Sequence, residues 1–93
     1  MDNTFRVLGA KVKDKKDYVK CLSLAIIKAF RRYKLVRMRC IGAASVNHAE
    51  KAYILAAESL EKEGIELVQK SYFFSTAFDD SEKTGIIKEI FAR

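Results

Sequence analysis

Proline and tryptophan are absent from this 93-residue chain, histidine occurs once, cysteine twice, and long apolar runs are missing. Two cysteines, Cys21 and Cys40, lie well apart within apolar patterns. A disulfide-stapled domain of this size carries about four to eight cysteines, and a zinc site needs closely spaced cysteine or histidine pairs. Neither is expected, and both residues read as buried free thiols in a reducing compartment. No apolar stretch approaches the ~18 residues that cross a bilayer. The opening Met1-Asp2-Asn3-Thr4 lacks the basic-then-apolar order of a signal peptide. Membrane and secreted classes are set aside, and a cytoplasmic location is expected. The small-residue stretch Gly42-Ala43-Ala44 is too poor in glycine for a dinucleotide or phosphate-loop motif, and no Gly-Lys-Ser/Thr follows it. Ser45, His48 and Glu50 are close in sequence, but on one helical turn they point in different directions, which is not a nucleophile, base and acid arrangement. The single histidine, His48, reads as a helix-surface residue. No catalytic residue, metal, cofactor or small-molecule substrate is expected.

What is present is charge, unevenly placed. The 49% apolar and 32% charged composition is that of a folded domain and not of a disordered chain. Its length suits one domain, residues 1–93. A domain this small buries only about 60–65% of its unfolded surface, so self-association would help its stability. The net charge is +6. Residues 1–40 hold twelve Lys/Arg against three acids, whereas residues 41–93 hold six against nine, which splits the chain into a +9 part and a −3 part. Such asymmetry makes a dipolar field and points to a polyanionic partner for the first half. Any single lysine is more simply a solubilising group on a helix face.

Periodicity orders the elements. Thr4–Ala10 reads as a strand, followed by a lysine-rich connection, Lys11-Val12-Lys13. Asp14 is a natural N-cap, with Asp17 in the first turn of a helix running to about Lys34. Val19, Leu22, Ile26, Ala29, Phe30 and Tyr33 form its apolar stripe. Leu35–Ile41 alternates, with Val36, Met38 and Cys40 on one face and Arg37 and Arg39 on the other. Ser45 is the expected N-cap of a second helix reaching about Glu63, with Val46, Ala49, Tyr53, Ala56 and Leu60 inward and Gly64 at its C-terminal αL position. Ile65–Ser75 and Thr84–Phe91 read as strands around an acidic turn, residues 79–83. The order β-α-β-α-β-β predicts an α+β two-layer sandwich: a four-stranded mixed sheet with both helices on one face. The other sheet face is left for a partner or a second copy. Tyr72, Phe73 and Phe74 are expected in the core or a subunit interface.

Lys11, Lys13, Lys15 and Lys16, beside a helix N-terminus with free backbone N–H groups, are the first candidate seat for phosphate. Arg39 adds a cation on the adjoining strand. Asn47, near the start of the second helix, is either a base or phosphate contact or a local backbone partner. Tyr18 has a ring suited to stacking on bases.

The segment Ile41-Gly42-Ala43-Ala44-Ser45-Val46-Asn47-His48-Ala49-Glu50-Lys51-Ala52, after a strand and opening a helix, strongly resembles the stage V sporulation protein S family, small bacterial proteins of the Alba-like superfamily. Phe5-Arg6-Val7, Gly64-Ile65-Glu66-Leu67, Ala77-Phe78-Asp79 and Thr84-Gly85-Ile86-Ile87 follow in the order that family shows, so the likeness extends over Phe5–Arg93. The resemblance implies the βαβαββ Alba-like fold, assembly into dimers or higher oligomers, and a nucleic-acid-binding or regulatory role in sporulation, with nucleoid association a corollary. Alba proteins hold nucleic-acid backbone with a lysine pair before the first helix, and Lys15 and Lys16 match that pair. Ile41 and Ala43 flank Gly42 where Alba proteins tend to place arginines, and Asp79, Asp80 and Glu82 replace a basic hairpin tip with an acidic one. The resulting expectation is a protein that binds DNA or RNA through backbone contacts. The alternative is an oligomeric interaction module that binds protein and not nucleic acid.

Overall fold

The computed structural model describes residues 3–78 and 81–93. Six elements follow one another: β1 (Thr4–Arg6), α1 (Lys15–Tyr33), β2 (Leu35–Cys40), α2 (Ala43–Glu61), β3 (Leu67–Phe78) and β4 (Ser81–Ala92). The strands form one sheet in the order β1-β2-β4-β3. β1 runs parallel to β2, and β4 lies antiparallel to both β2 and β3. This is the expected α+β architecture with a mixed sheet. The acids Asp79 and Asp80, expected at the hairpin tip, lie outside the described residues, as does the side chain of Glu82.

Local chemistry explains most element ends. Asp14 caps α1 as expected: its carboxylate accepts from the Asp17 amide at 3.0 Å. Lys34 ends that helix in the left-handed region, φ 62°, with its amide bonded to the Phe30 carbonyl. Gly64, at φ 81°, sits just beyond α2 as expected. The start of α2 differs from expectation. Its N-cap is Gly42, not Ser45, and Gly42 has φ 91°, a conformation that a Cβ makes costly. Ser45 lies inside the first turn, buried, and its hydroxyl donates back to the carbonyls of Ile41 and Gly42 at 2.8 and 3.0 Å. β1 is also shorter than expected. After the Val7 amide bonds the Arg39 carbonyl, β2 has one residue left and β1 loses its partner. β3 and β4 are longer than expected, pairing from Leu67↔Ala92 out to Phe78↔Ser81.

The register sorts the side chains. Val36, Met38 and Cys40 of β2 and Ile90 of β4 face the helices and are fully buried. There they meet Leu22, Ile26, Ala29 and Phe30 of α1 and Ala49, Ala52, Ala56 and Leu60 of α2. The alanines on α2 let it approach closely; Val46 and Tyr53, expected inward, lie at the margin. Truncating a fully buried residue such as Ile26 or Leu60 to alanine would cost about 2–5 kcal/mol. Cys40 is buried as expected, and burial pushes its thiol up to about 11. Cys21 is exposed, contrary to expectation, because it sits one residue before Leu22 and so off the buried stripe.

The opposite sheet face has no covering layer. It carries Arg6 of β1, Arg37 and Arg39 of β2, Lys70, Tyr72 and Phe74 of β3, and Ile87, Glu89 and Phe91 of β4. None of Tyr72, Phe73 and Phe74 belongs to the core: Phe73, on the helix side, is 77% exposed because the hairpin extends past α2. A Cβ built on Gly85 would stand 2.5 Å from the Phe74 ring and 2.6 Å from the Cys40 carbonyl oxygen. The bare glycine therefore lets Phe74 lie against the sheet. Gly85→Ala is expected to lower stability by about 1–3 kcal/mol through overpacking, read as a shift of the urea midpoint without a change in slope.

Candidate nucleic-acid interface

Parallel β1 and β2 are each followed by a helix, so both helices begin at the same end of the molecule. Two contacts show it: the Tyr18 and His48 rings meet edge to face at 5.5 Å, and a Cβ on Gly9 would stand 3.6 Å from the Ser45 amide. At the other end, Arg31 of α1 holds Glu63 beyond α2 through two hydrogen bonds of 3.0 and 2.6 Å. Two positive dipole ends therefore lie side by side. α2 adds no acid in its first turn and no side-chain cap, so its first N–H groups have no capping partner of their own.

The loop from β1 to α1 is fixed against this end by two side chains. The Leu8 amide donates to the Tyr18 hydroxyl at 2.8 Å. The Leu8 carbonyl accepts from His48 Nδ1 at 2.8 Å, and since a carbonyl only accepts, that nitrogen carries the proton. His48 is 3% exposed, so the expectation of a surface histidine is wrong. It lies one turn before Ala52 on the buried face of α2, and only the folded loop reveals its partner. Tyr18, expected as a stacking candidate, is half-buried and held in the same lock. A turn with the Val12 amide bonded to the Gly9 carbonyl at 3.2 Å then leads into the lysines.

Lys11, Lys13, Lys15 and Lys16 are all exposed, and among the described residues none makes an ion pair. Lys15 and Lys16 occupy the first two positions of α1, where the helix dipole disfavours a cation by about 0.3–1 kcal/mol each. Arg39 is not in this cluster. It projects from the uncovered sheet face, with its guanidinium 5.0 Å from the centroid of the Phe74 ring. Asn47 is on the other flank of α2, exposed, and its amide makes no hydrogen bond among the described residues. The six expected residues thus share one end of the molecule but occupy three surfaces.

Asn47 lines a groove of about 630 Å³ between the start of α2 and the helix-side face of the hairpin. Glu50, Lys88 and Phe73 line it too. Lys88, 8% exposed, donates to Glu50 Oε1 at 3.2 Å and to Gln69 Oε1 of the side chain at 3.4 Å, while Gln69 Nε2 donates to Glu50 Oε1 at 2.7 Å. Sequence reading missed this triad, because its members come from three elements and none stands out alone. The Gln69 hydrogen bond, and then Lys88, hold the Glu50 carboxyl below the usual carboxylate range, against the opposing effect of burial. Among the described residues no group of acidic, histidine and cysteine side chains could hold a metal ion, and no helix is long and apolar enough to cross a membrane.

Two tests follow. Tyr18→Phe removes the acceptor of the Leu8 amide; it should cost about 0.5–1.5 kcal/mol, and hydrogen exchange should quicken at Leu8 while the β2 amides stay protected. Because the folded Glu50 carboxyl is lowered, its contribution is complete above the unfolded value of about 4.3 and is lost as pH falls through the lower folded value. Urea midpoints measured between about pH 5 and pH 2 should therefore fall less steeply for Glu50→Gln than for the parent.

No curated protein matches the chain significantly. The family model described as stage V sporulation protein S does match, over residues 10–93, which takes in both helices and every strand except β1. The chain therefore belongs to the stage V sporulation protein S family and is a sporulation-related protein.

Proposed function

We propose that this is a non-enzymatic, Alba-like nucleic-acid-binding protein of the cytoplasm, working as a dimer or higher oligomer in sporulation. It would bind DNA or RNA backbone through Lys11, Lys13, Lys15 and Lys16. The observation that carries this reading is the placement of Lys15 and Lys16. They stand unpaired at the one end of α1 where the dipole opposes them, beside the uncapped start of α2. A chain selected for stability alone would favour acids there. Phosphate answers both features at once: it neutralises the lysines and accepts from helix N-terminal amides. The His48 and Tyr18 contacts to Leu8 support the reading further, since they hold the loop before any ligand arrives. Asn47 and Arg39 extend the contact onto the adjoining surfaces.

An oligomeric protein-interaction module is the second reading, and Phe73, 77% exposed above the groove, favours it. The two readings part in a salt titration. If about five phosphates are neutralised, log affinity should fall against log salt with a slope near −4.5 for duplex DNA between roughly 50 and 200 mM. Lys15→Glu with Lys16→Glu should weaken binding to every sequence and flatten that slope by about two. The pair should not unfold α1, because acids suit its first turn better than lysines. Full affinity in the double variant would remove the proposed seat. No binding by the parent at the lower salt, with tight self-association, would favour the interaction module.

A further inference from the structure

The uncovered sheet face is the surface the loop lysines do not explain. Its cations are Arg6, Arg37, Arg39, Lys70 and Lys83, and among described residues of its strands Glu89 is its one acid. Glu89 is already engaged: it accepts from Arg37 Nε at 2.9 Å and from the Tyr72 hydroxyl at 3.1 Å. Arg6 and Arg39, neighbours across the β1–β2 pair, are both exposed and make no ion pair with a described residue. Among the described residues three aromatic rings, Tyr72, Phe74 and Phe91, lie on this face, and the first two stand beside Glu89 and Arg39. Tyr72 is 38% exposed, and Phe74 lies over Gly85 with the Arg39 guanidinium against it.

We infer that this face is a stacking platform for single-stranded nucleic acid, with bases set on Tyr72 and on the Arg39–Phe74 pair, and phosphates met by Arg6 and Lys70. Three observations point there. The face is cationic, so a second copy laid on it would oppose like charges, whereas a polyanion is complementary. The large planar groups described on this face are aromatic rings and guanidinium groups, the side chains on which unpaired bases stack. Tyr72 and Phe74 stand two residues apart on one strand, ~7 Å, about twice the ~3.4 Å rise of stacked bases. Bases reaching both platforms must be spread apart, which a single strand allows and a duplex does not. This inference rests on the nucleic-acid reading above and narrows it. The lysine loop would hold backbone of any form, and the sheet face would add a preference for unpaired bases.

The test compares labelled single-stranded oligonucleotides of about 12 nucleotides, DNA and RNA, with a duplex of the same length. Tyr72→Leu should weaken single-strand binding at least about fivefold and duplex binding by less than about twofold, because stacking is lost but backbone contact is not. Tyr72→Phe keeps the ring and should keep the affinity, which separates stacking from the Glu89 hydrogen bond. Arg39→Gln should likewise weaken single-strand binding more than duplex binding. Circular dichroism checks that each variant is folded. If Tyr72→Leu and Arg39→Gln bind single strands like the parent while Lys15→Glu with Lys16→Glu does not, the platform is wrong and the lysine seat stands. If the parent binds neither form, both readings fail. If Tyr72→Leu leaves binding unchanged and instead dissociates an oligomer in sedimentation, the face is a subunit interface and the inference is overturned.

Discussion

Parallel pairing of β1 with β2 is the constraint on which the rest of this structure depends. Two parallel neighbours, each followed by a helix that returns across the sheet, must release those helices from the same end. That single fact sets the starts of α1 and α2 side by side, stacks their positive dipole ends, and gathers the basic β1–α1 loop between them. It also sends both helix C-termini to the far side, where Arg31 in the basic last turn of α1 meets Glu63 beyond α2. The lysines of the β1–α1 loop come beside the start of α2 only because of this topology.

The pairing is short and needs help. β1 has three residues, and Asn3 lengthens the contact by donating from its side chain to the Leu35 carbonyl while its own carbonyl takes the Arg37 amide. Beyond Val7 the backbone polar groups of Leu8 go to Tyr18 and His48, so the strand's end is tied to both helices. Exposed lysines then rest on a loop whose backbone is already fixed. Ordering is paid by folding and not by binding, which is the physical advantage of mounting a flexible cation on a rigid support.

The sheet's two faces have been given different work. Toward the helices Val36, Met38, Cys40 and Ile90 are fully buried, and the one deeply placed cation among the described residues, Lys88, is answered by Glu50 and Gln69. Away from the helices lie arginines, lysines and aromatic rings, with Glu89 drawn into two hydrogen bonds. Gly85 links these roles: lacking a side chain, it leaves room for Phe74 to lie against the strand under Arg39.

Much of this was legible in the amino-acid order. The alternation of Val36, Met38 and Cys40 with Arg37 and Arg39, the stripe from Val19 to Phe30, the Asp14 cap and the Gly64 stop are local signals, each fixed by backbone geometry within a few residues. They determine the elements, their order, the buried face and the basic loop. Partnership across the chain was not legible. His48 looks like a surface histidine until Leu8 folds beneath it, Ser45 looks like a cap until Gly42 turns the chain first, and Glu50, Gln69 and Lys88 meet only when α2 lies on the hairpin. That Lys15, Arg39 and Asn47 stand at one end of the molecule but on three surfaces was likewise not legible. Hydrophobic period is a property of a segment, whereas a hydrogen bond between residues 8 and 48 is a property of how segments pack, and tertiary structure alone decides it.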